Sequence, residues 1–175
     1  MLSRVITNKD KEIMVPLFKS LVRPVLEYGN VVWSPSLKKH IQLIENVQRR
    51  FTKRIKGFKD MEYEERLKSL HLPSLEYRRF RGDMIETFKI LKGFYDPITI
   101  KDLFTLVEDN TTRGHSLKLK VKQSNTNLSL NFFTNRIVKP WNGLLPETVT
   151  AETLNAFKNL LDKEFEENIY KCDMF

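Results

Sequence analysis

The chain has 175 residues, a formal net charge of +8 and a hydrophobic content of 41%. This length and composition predict one globular domain, or one domain with an appendage, and argue against an intrinsically disordered chain. The single cysteine, Cys172, excludes an internal disulfide and a zinc site built from several cysteines. No apolar run approaches the roughly 20 residues of a membrane span, so an intracellular setting, nuclear or cytoplasmic, is expected.

The first predicted element is a strongly apolar helix over residues 10–28. Two prolines, Pro16 and Pro24, predict a late start and a kink or an early stop, and Gly29 predicts the end. Apolar residues recur every four positions, the spacing of one helical face, at Ile13, Leu17, Leu21 and Val25.

Nearly all of the net charge lies in the segment 37–59, which contains eight Lys or Arg residues and one acid, Glu45, and so has a net charge of +7. Ser34 followed by Pro35 predicts a helix start here, and Gly57 predicts the end. With 100° of rotation per residue, six side chains of this segment fall within about 40° of one line along the helix and so form one face. That predicted core face consists of Leu37, Ile41, Ile44, Gln48, Phe51 and Ile55, with Gln48 needing a partner if it is buried.

The opposite side of this basic helix, residues 36–57, is the candidate nucleic-acid interface. A solvated helix surface usually mixes the two signs of charge, whereas here only Glu45 accompanies the cations. A row of cations binds phosphates, which gives affinity and salt dependence but little sequence readout. A solvated surface, a membrane-surface helix and a calmodulin target are the alternatives. The predicted contacts are Lys38, Lys39, Arg49, Arg50, Lys53, Arg54 and Lys56.

Two more helices are predicted before residue 94. Asp60 is the expected cap of a short helix that His71 to Pro73 interrupt, and Ser74 is the expected cap of a longer helix that Gly93 ends. The predicted apolar face of the longer helix is Tyr77, Phe80, Met84, Phe88 and Leu91. Its predicted surface residues are Arg78, Arg79, Asp83, Glu86 and Lys89, with Asp83 and Glu86 pairing with cations three or four positions away. Arg78, Arg79 and Arg81 form a third, weaker set of candidate contacts, and at least one of them is expected in an internal ion pair.

The middle of the chain predicts turns and a short β-hairpin. Asp96-Pro97 predicts a turn, and residues 108–114 predict a loop. Residues 116–122 alternate between apolar side chains and lysines, which predicts a half-buried strand, and residues 101–107 are its expected partner. The lysine face is the second set of candidate contacts, Lys118, Lys120 and Lys122.

The last part of the chain predicts helices again. Residues 131–144 predict a helix that stops before Pro140, and both Trp141 and Trp33 are expected to fill core positions. Thr150 is the expected cap of a final helix, and the tail from Glu166 is expected to fray. The apolar face of that helix is predicted to be Leu154, Phe157, Leu160, Leu161 and Phe165.

No grouping in the sequence predicts catalysis. It contains no adjacent Asp pair of the two-metal polymerase type and no glycine-rich phosphate loop. His40, His71 and His115 have no metal-ligand spacing, so each is interpreted as a surface or packing residue.

Several sequence blocks carry a family resemblance. KEIMVPLFKSLVRPVLEYGNVVWSP, IENVQRRFTKRI, TRGHSLKL and PWNGLLPE, with the stretch 63–93 between them, occur in a specific order over about residues 8 to 163. In this order they resemble the C-terminal region of jockey-like non-LTR retrotransposon reverse transcriptases.

The resemblance implies a mainly α fold, with a helical thumb-like bundle over 1–94, a loop and possible β-hairpin over 95–129, and a C-terminal helical segment over 130–175. It implies a fragment of an RNA-directed DNA polymerase whose Asp pair and Mg lie in an upstream palm, so that no catalysis and no cofactor are expected in this chain. The implied partners are RNA, DNA or an RNA–DNA hybrid and the palm domain of the parent polymerase, with no membrane.

Two other classes of function stay open. In one, the chain is a helical protein-interaction module that docks through an exposed apolar surface on the first helix. In the other, it is a non-functional transposon relic.

Overall fold

The computed structural model describes residues 7–95, 103–107 and 114–172, and its fold is mainly helical, as predicted. The first helices are α1 (Lys11–Leu17), α2 (Arg23–Glu27), α3 (Lys38–Thr52), α4 (Tyr63–Leu70) and α5 (Leu75–Leu91). Later helices are α6 (Asn127–Leu130), α7 (Phe133–Arg136), α8 (Val138–Asn142), α9 (Pro146–Val149) and α10 (Leu154–Glu164). The predicted turn at Asp96-Pro97 and the predicted loop over 108–113 lie outside the described residues. No described helix has both the length and the apolar character that a bilayer crossing needs.

The chain divides into two compact units. Unit 1 contains residues 1–29, 35–78 and 167–175, and unit 2 contains residues 30–34 and 79–166. Each unit is therefore built from segments that are distant in sequence. The boundary expected near residue 94 lies inside unit 2.

The predicted first helix is interrupted by a π-helical segment, Phe18–Val22, between α1 and α2. The cause is Pro24, which has no N–H for the carbonyl of Ser20 and whose ring would clash with that carbonyl in a regular helix. The wider π turn accommodates the ring. The helix begins at Lys11, so the predicted late start is wrong, and the effect of the proline is a change to π hydrogen bonding.

Two helix starts differ from the prediction. Leu37 precedes α3 in an extended conformation, and Ser34 does not cap it. Likewise Glu62, and not Asp60, precedes α4. Ser74 does cap α5, since its hydroxyl oxygen accepts a hydrogen bond from the Tyr77 N–H at 3.2 Å.

The core of unit 1 joins the first three helices to α4. Its buried members are Met14, Phe18, Phe51, Ile55, Tyr63, Leu67, Leu70 and Leu72. The C-terminal tail, predicted to fray, packs here: Tyr170 and Cys172 lie against the cluster, and the Ser74 N–H donates to the Ile169 carbonyl at 2.9 Å. This backbone bond orders the tail, and the expectation of fraying is wrong up to Cys172.

Helix α5 is buried over more of its circumference than one apolar face. Tyr77, Phe80, Met84 and Phe88 are buried, as predicted, but so are Arg79 and Asp83, which were expected on the surface. Asp83 pairs with Arg136, which lies 53 residues further along the chain. The expected local pair forms instead between Glu86 and Lys89, at 3.2 Å.

Unit 2 has its core between α5, α8 and α10. Phe88 stacks on Phe157 with ring centroids 4.3 Å apart, and Trp141 is completely buried, as expected. Thr153, and not Thr150, caps α10, because its hydroxyl accepts the Ala156 N–H at 3.1 Å.

Two other expectations for unit 2 are wrong. Trp33 is 45% exposed and fills no core position. The helix expected to stop before Pro140 is a series of short helices, and Pro140 lies inside α8. As the third residue of α8, Pro140 would have no intrahelical acceptor for an N–H in any case, so its presence there costs no hydrogen bond.

The predicted β-hairpin is reduced to one antiparallel bridge between Leu106 and Leu119 in the described residues. The Val107 N–H donates to the Lys118 carbonyl at 2.9 Å, and the Lys120 N–H donates to the Thr105 carbonyl at 2.8 Å. The outer edge of Leu119 pairs with a side chain, that of Asn142, and not with another strand. The backbone groups of Leu119 are thus satisfied by a side chain, without the regular hydrogen bonding of a further β-strand.

The sequence leaves open the roles of the blocks TRGHSLKL and PWNGLLPE. In unit 2 the described residues of the two blocks contact each other through hydrogen bonds. The Trp141 indole N–H donates to the Leu117 carbonyl at 2.8 Å, and the His115 Nε2 lies 3.0 Å from the Trp141 carbonyl. Since a carbonyl only accepts, Nε2 carries the proton. Both blocks therefore have a structural role here.

Candidate nucleic-acid interface

The predicted cations of the basic helix all lie at the surface of unit 1. Those on α3 itself are Lys38, Lys39, Arg49 and Arg50, and those after it are Lys53, Arg54 and Lys56. Each of these seven residues is exposed. The structure therefore brings the whole first set together along one helix and the turn that follows it.

Glu45, the one acid of the segment, does not lie among these cations. It is only 3% exposed. One carboxylate oxygen accepts the Tyr63 hydroxyl at 2.5 Å, and the other accepts the Leu75 N–H at 2.9 Å. The exposed surface of α3 consequently carries positive charges with no carboxylate.

The opposite face of α3 fixes the helix in the core. Phe51 packs on Phe18 with ring centroids 4.8 Å apart. Gln48 is buried and has the partner that its position required, because its amide group donates to the Pro73 carbonyl at 2.9 Å. These contacts set the rotation of α3 and so decide which residues face the solvent.

Arg49 has a defined position at the edge of the surface. Its guanidinium lies over the Tyr63 ring, 4.5 Å from the centroid, which is cation–π geometry. Burial raises the pKa of Tyr63, and the charge of Glu45 and its hydrogen bond raise it further. The phenol therefore stays protonated and continues to donate to Glu45.

Apolar side chains interrupt the cationic surface. Leu37 is 60% exposed, although the sequence pattern placed it in the core, because α3 begins only at the next residue. Leu43 and Val47 are also exposed. The surface thus combines cations with apolar side chains on a single helix.

The second and third sets of candidate contacts lie outside the basic helix, and several of these residues are partly buried or ion-paired. Lys120 and Lys122 are exposed and Lys118 is half-buried, all in unit 2. Arg78 forms a bidentate pair with Glu27, and Arg81 forms one with Asp162 at 2.6 and 2.8 Å. These ion pairs confirm the expectation that at least one of the three arginines is paired internally. Arg79 is buried.

A cavity of about 260 Å³ lies beside the basic helix in unit 1. Its lining combines buried carboxylates with exposed or half-buried polar side chains, and consists of Ile41, Gln42, Glu45, Asn46, Arg49, Glu76 and Cys172. Sequence reasoning missed this site. Its signal was the spacing of Gln42, Asn46 and Arg49, which places two amides and a guanidinium along one helical stripe.

No cluster of His, Cys, Asp or Glu with metal-ligand character occurs in the part of the chain that the structure describes. Burial raises the pKa of Cys172 to about 12, and the nearby Glu45 contributes to the same shift. The thiol is therefore protonated at neutral pH. Comparison with protein-family models, with curated proteins and with solved structures finds no match to this chain.

Proposed function

We propose that the chain is a piece of a retrotransposon RNA-directed DNA polymerase that binds nucleic acid and has no catalytic centre within these 175 residues. Unit 1 binds the phosphate backbone of RNA, DNA or their hybrid through Lys38, Lys39 and the cations from Arg49 to Lys56. Support for the polymerase comes from the resemblance of its sequence blocks and from its mainly helical fold.

One observation carries the binding proposal. The only acid of the basic helix is turned into the core, where Tyr63 and Leu75 hold it, while the seven cations face the solvent. An ordinary solvated helix surface offsets its cations with acids three or four residues away. An acid-free row of cations instead suits phosphate groups, and each neutralised phosphate releases a counterion.

The test is fluorescence anisotropy with a short RNA–DNA hybrid across roughly 50 to 300 mM salt. Several phosphate contacts give a slope of log affinity against log salt on the order of −4 to −6. The variant Arg49→Ala/Arg50→Ala/Lys53→Ala/Arg54→Ala is expected to flatten this slope by about 3.6 if all four residues contact phosphates, since each lost contact removes about 0.9.

A charge-matched control removes four exposed lysines elsewhere, at Lys11, Lys68, Lys163 and Lys171. It keeps the steep slope if the contacts are local to the basic helix. Equal flattening in both variants means that net charge alone drives binding. Absence of binding at the lowest salt contradicts the proposal. The remaining hypotheses are then the protein-interaction module and the non-functional transposon relic.

A second candidate function has its own observation. The helical stretch from α1 to α2 and the residue that follows it present an exposed apolar face, with Leu21 51%, Val25 73% and Tyr28 82% exposed. Such a face suits docking on another protein, and the palm domain of the parent polymerase is the partner that the resemblance suggests. Leu21→Ser/Val25→Ser would then weaken binding to a separately produced palm, while Leu128→Ser, at an equally exposed position of unit 2, would not.

A further inference from the structure

We infer that the cavity beside the basic helix receives a single unpaired base of a bound nucleic-acid strand, and that it favours bases with an exocyclic amino group. This inference rests on the proposed function, because the strand reaches the cavity through the phosphate-binding surface. It adds base recognition to backbone binding.

The position of the cavity supports this assignment. Arg49 belongs both to the cationic surface and to the cavity lining. Its guanidinium is held over the Tyr63 ring at 4.5 Å, so its position is largely set before any ligand arrives. A phosphate that pairs with Arg49 places the attached nucleotide at the rim of the cavity.

The size of the cavity suits one base. At about 260 Å³ it has far more room than a single buried water needs. It is smaller than the roughly 300–1,000 Å³ of pockets that enclose whole small-molecule ligands. A planar heterocycle fits this range with its sugar and phosphate left outside.

The lining chemistry selects among bases. Glu45 and Glu76 are 3% and 9% exposed and contribute carboxylates to the lining. Each carboxylate oxygen can accept more than one hydrogen bond, so the Glu45 oxygens can accept further bonds beside those from Tyr63 and Leu75. The amides of Gln42 and Asn46 both donate and accept. Adenine, guanine and cytosine present amino donors to such a site, whereas thymine and uracil present mainly carbonyl oxygens, which the carboxylates repel.

The experiment compares single strands of about ten nucleotides by anisotropy at one salt concentration. The probes are an adenine strand, a thymine strand and an abasic strand of equal length. The adenine strand is expected to bind about tenfold more tightly than the other two. Gln42→Ala/Asn46→Ala should reduce this preference, because an amide can pair with both the amino group and a ring nitrogen of adenine, while the carboxylates stay in place. The affinity for the abasic strand and its salt slope should be unchanged.

The matched control is Gln123→Ala/Asn125→Ala, which deletes the same two side-chain types at exposed positions of unit 2. It should keep the preference. Equal affinity for adenine and abasic strands overturns the inference while phosphate binding stands. A preference that is undiminished in Gln42→Ala/Asn46→Ala contradicts the assignment of this cavity as the base site. Failure to bind any of these single strands overturns the inference, and failure to bind the RNA–DNA hybrid as well overturns the proposed function.

Discussion

Asn142 binds both polar backbone groups of Leu119, a residue 23 positions earlier in the chain. Its side-chain oxygen accepts the Leu119 N–H at 2.8 Å, and its side-chain N–H donates to the Leu119 carbonyl at 2.9 Å. The amide thereby takes the place of a neighbouring strand. Since Leu119 is only 1% exposed, water does not readily replace these two bonds.

Replacing Asn142 by Ala is therefore expected to lower the free energy of unfolding by about 2–3 kcal/mol, because two hydrogen bonds are lost and a buried backbone N–H is left without a partner. Urea unfolding followed by circular dichroism measures the change. Asn125→Ala, at an exposed position, is the control and should stay within about 0.5 kcal/mol of the wild type. Equal values for the two variants would show that Asn142 does not hold the segment.

Arg136 joins three segments of unit 2. Its guanidinium forms a bidentate pair with Asp83 at 2.8 and 3.0 Å and also donates to the backbone carbonyls of Asn30, Val31 and Asn131. Arg136→Lys should cost about 2–4 kcal/mol of unfolding free energy, since an ammonium group cannot satisfy this planar set of acceptors. Arg81→Lys alters a more exposed pair and should cost at most about 1 kcal/mol. A loss no larger for Arg136→Lys than for Arg81→Lys contradicts the central role of Arg136.

Asp83 gives a pH dependence opposite in sign to that of most paired carboxylates. Burial raises the pKa of Asp83, although the hydrogen bonds and charge of Arg136 act to lower it. Between its ordinary and its raised pKa the folded chain therefore binds more protons than the unfolded chain, so this group's contribution to the unfolding free energy decreases as the pH rises through that window. Asp83→Asn does not titrate, so the stability difference, wild type minus variant, should fall as the pH rises from about 3 toward neutrality. Urea unfolding of both proteins at several pH values measures it, and a difference that grows with pH would reverse the assigned direction.

His71 occupies a backbone conformation that favours glycine. It ends α4 with φ 49° and ψ 46°, and the Leu72 N–H donates to the Leu67 carbonyl at 3.0 Å, which completes a Schellman motif. His71→Gly is expected to raise the unfolding free energy by up to about 1 kcal/mol by removing the strain of the left-handed conformation. His40→Gly, in the first turn of α3, should lower it by a few tenths of a kcal/mol. Thermal unfolding of the two variants compares them directly, and destabilisation by both would mean that His71 contributes contacts that outweigh the strain.

The thiol of Cys172 should react slowly in the folded protein. Its pKa is raised to about 12, so at pH 8 the reactive thiolate is roughly a thousandfold scarcer than for a cysteine of ordinary pKa. Reaction with a disulfide reagent, followed by absorbance, should be correspondingly slow in buffer and fast in concentrated urea, where burial is lost. Similar rates in both solvents would place the thiol in open solvent.

The sequence determined that the basic segment forms a helix and which side of its C-terminal half is buried. Apolar spacing alone placed Phe51 and Ile55 in the core, because a helix that packs on one side must bury one line of residues. The same spacing put Arg50 and Lys53 in solvent. Turn residues likewise ended α4 and α5 near His71 and Gly93, since their backbone conformations are local properties.

Only the tertiary structure decided which polar residues are buried, because their hydrogen-bond partners come from distant segments of the chain. Glu45 turned inward because the Leu75 N–H and Tyr63 hydroxyl, 30 and 18 residues away, both need an acceptor. Asp83 turned inward because Arg136 meets it there, and the outer edge of Leu119 bonds to the side chain of Asn142 and not to another strand. A local sequence pattern predicts the average burial of a helix face. The burial of a single carboxylate or amide depends instead on one hydrogen-bond partner that is distant in sequence.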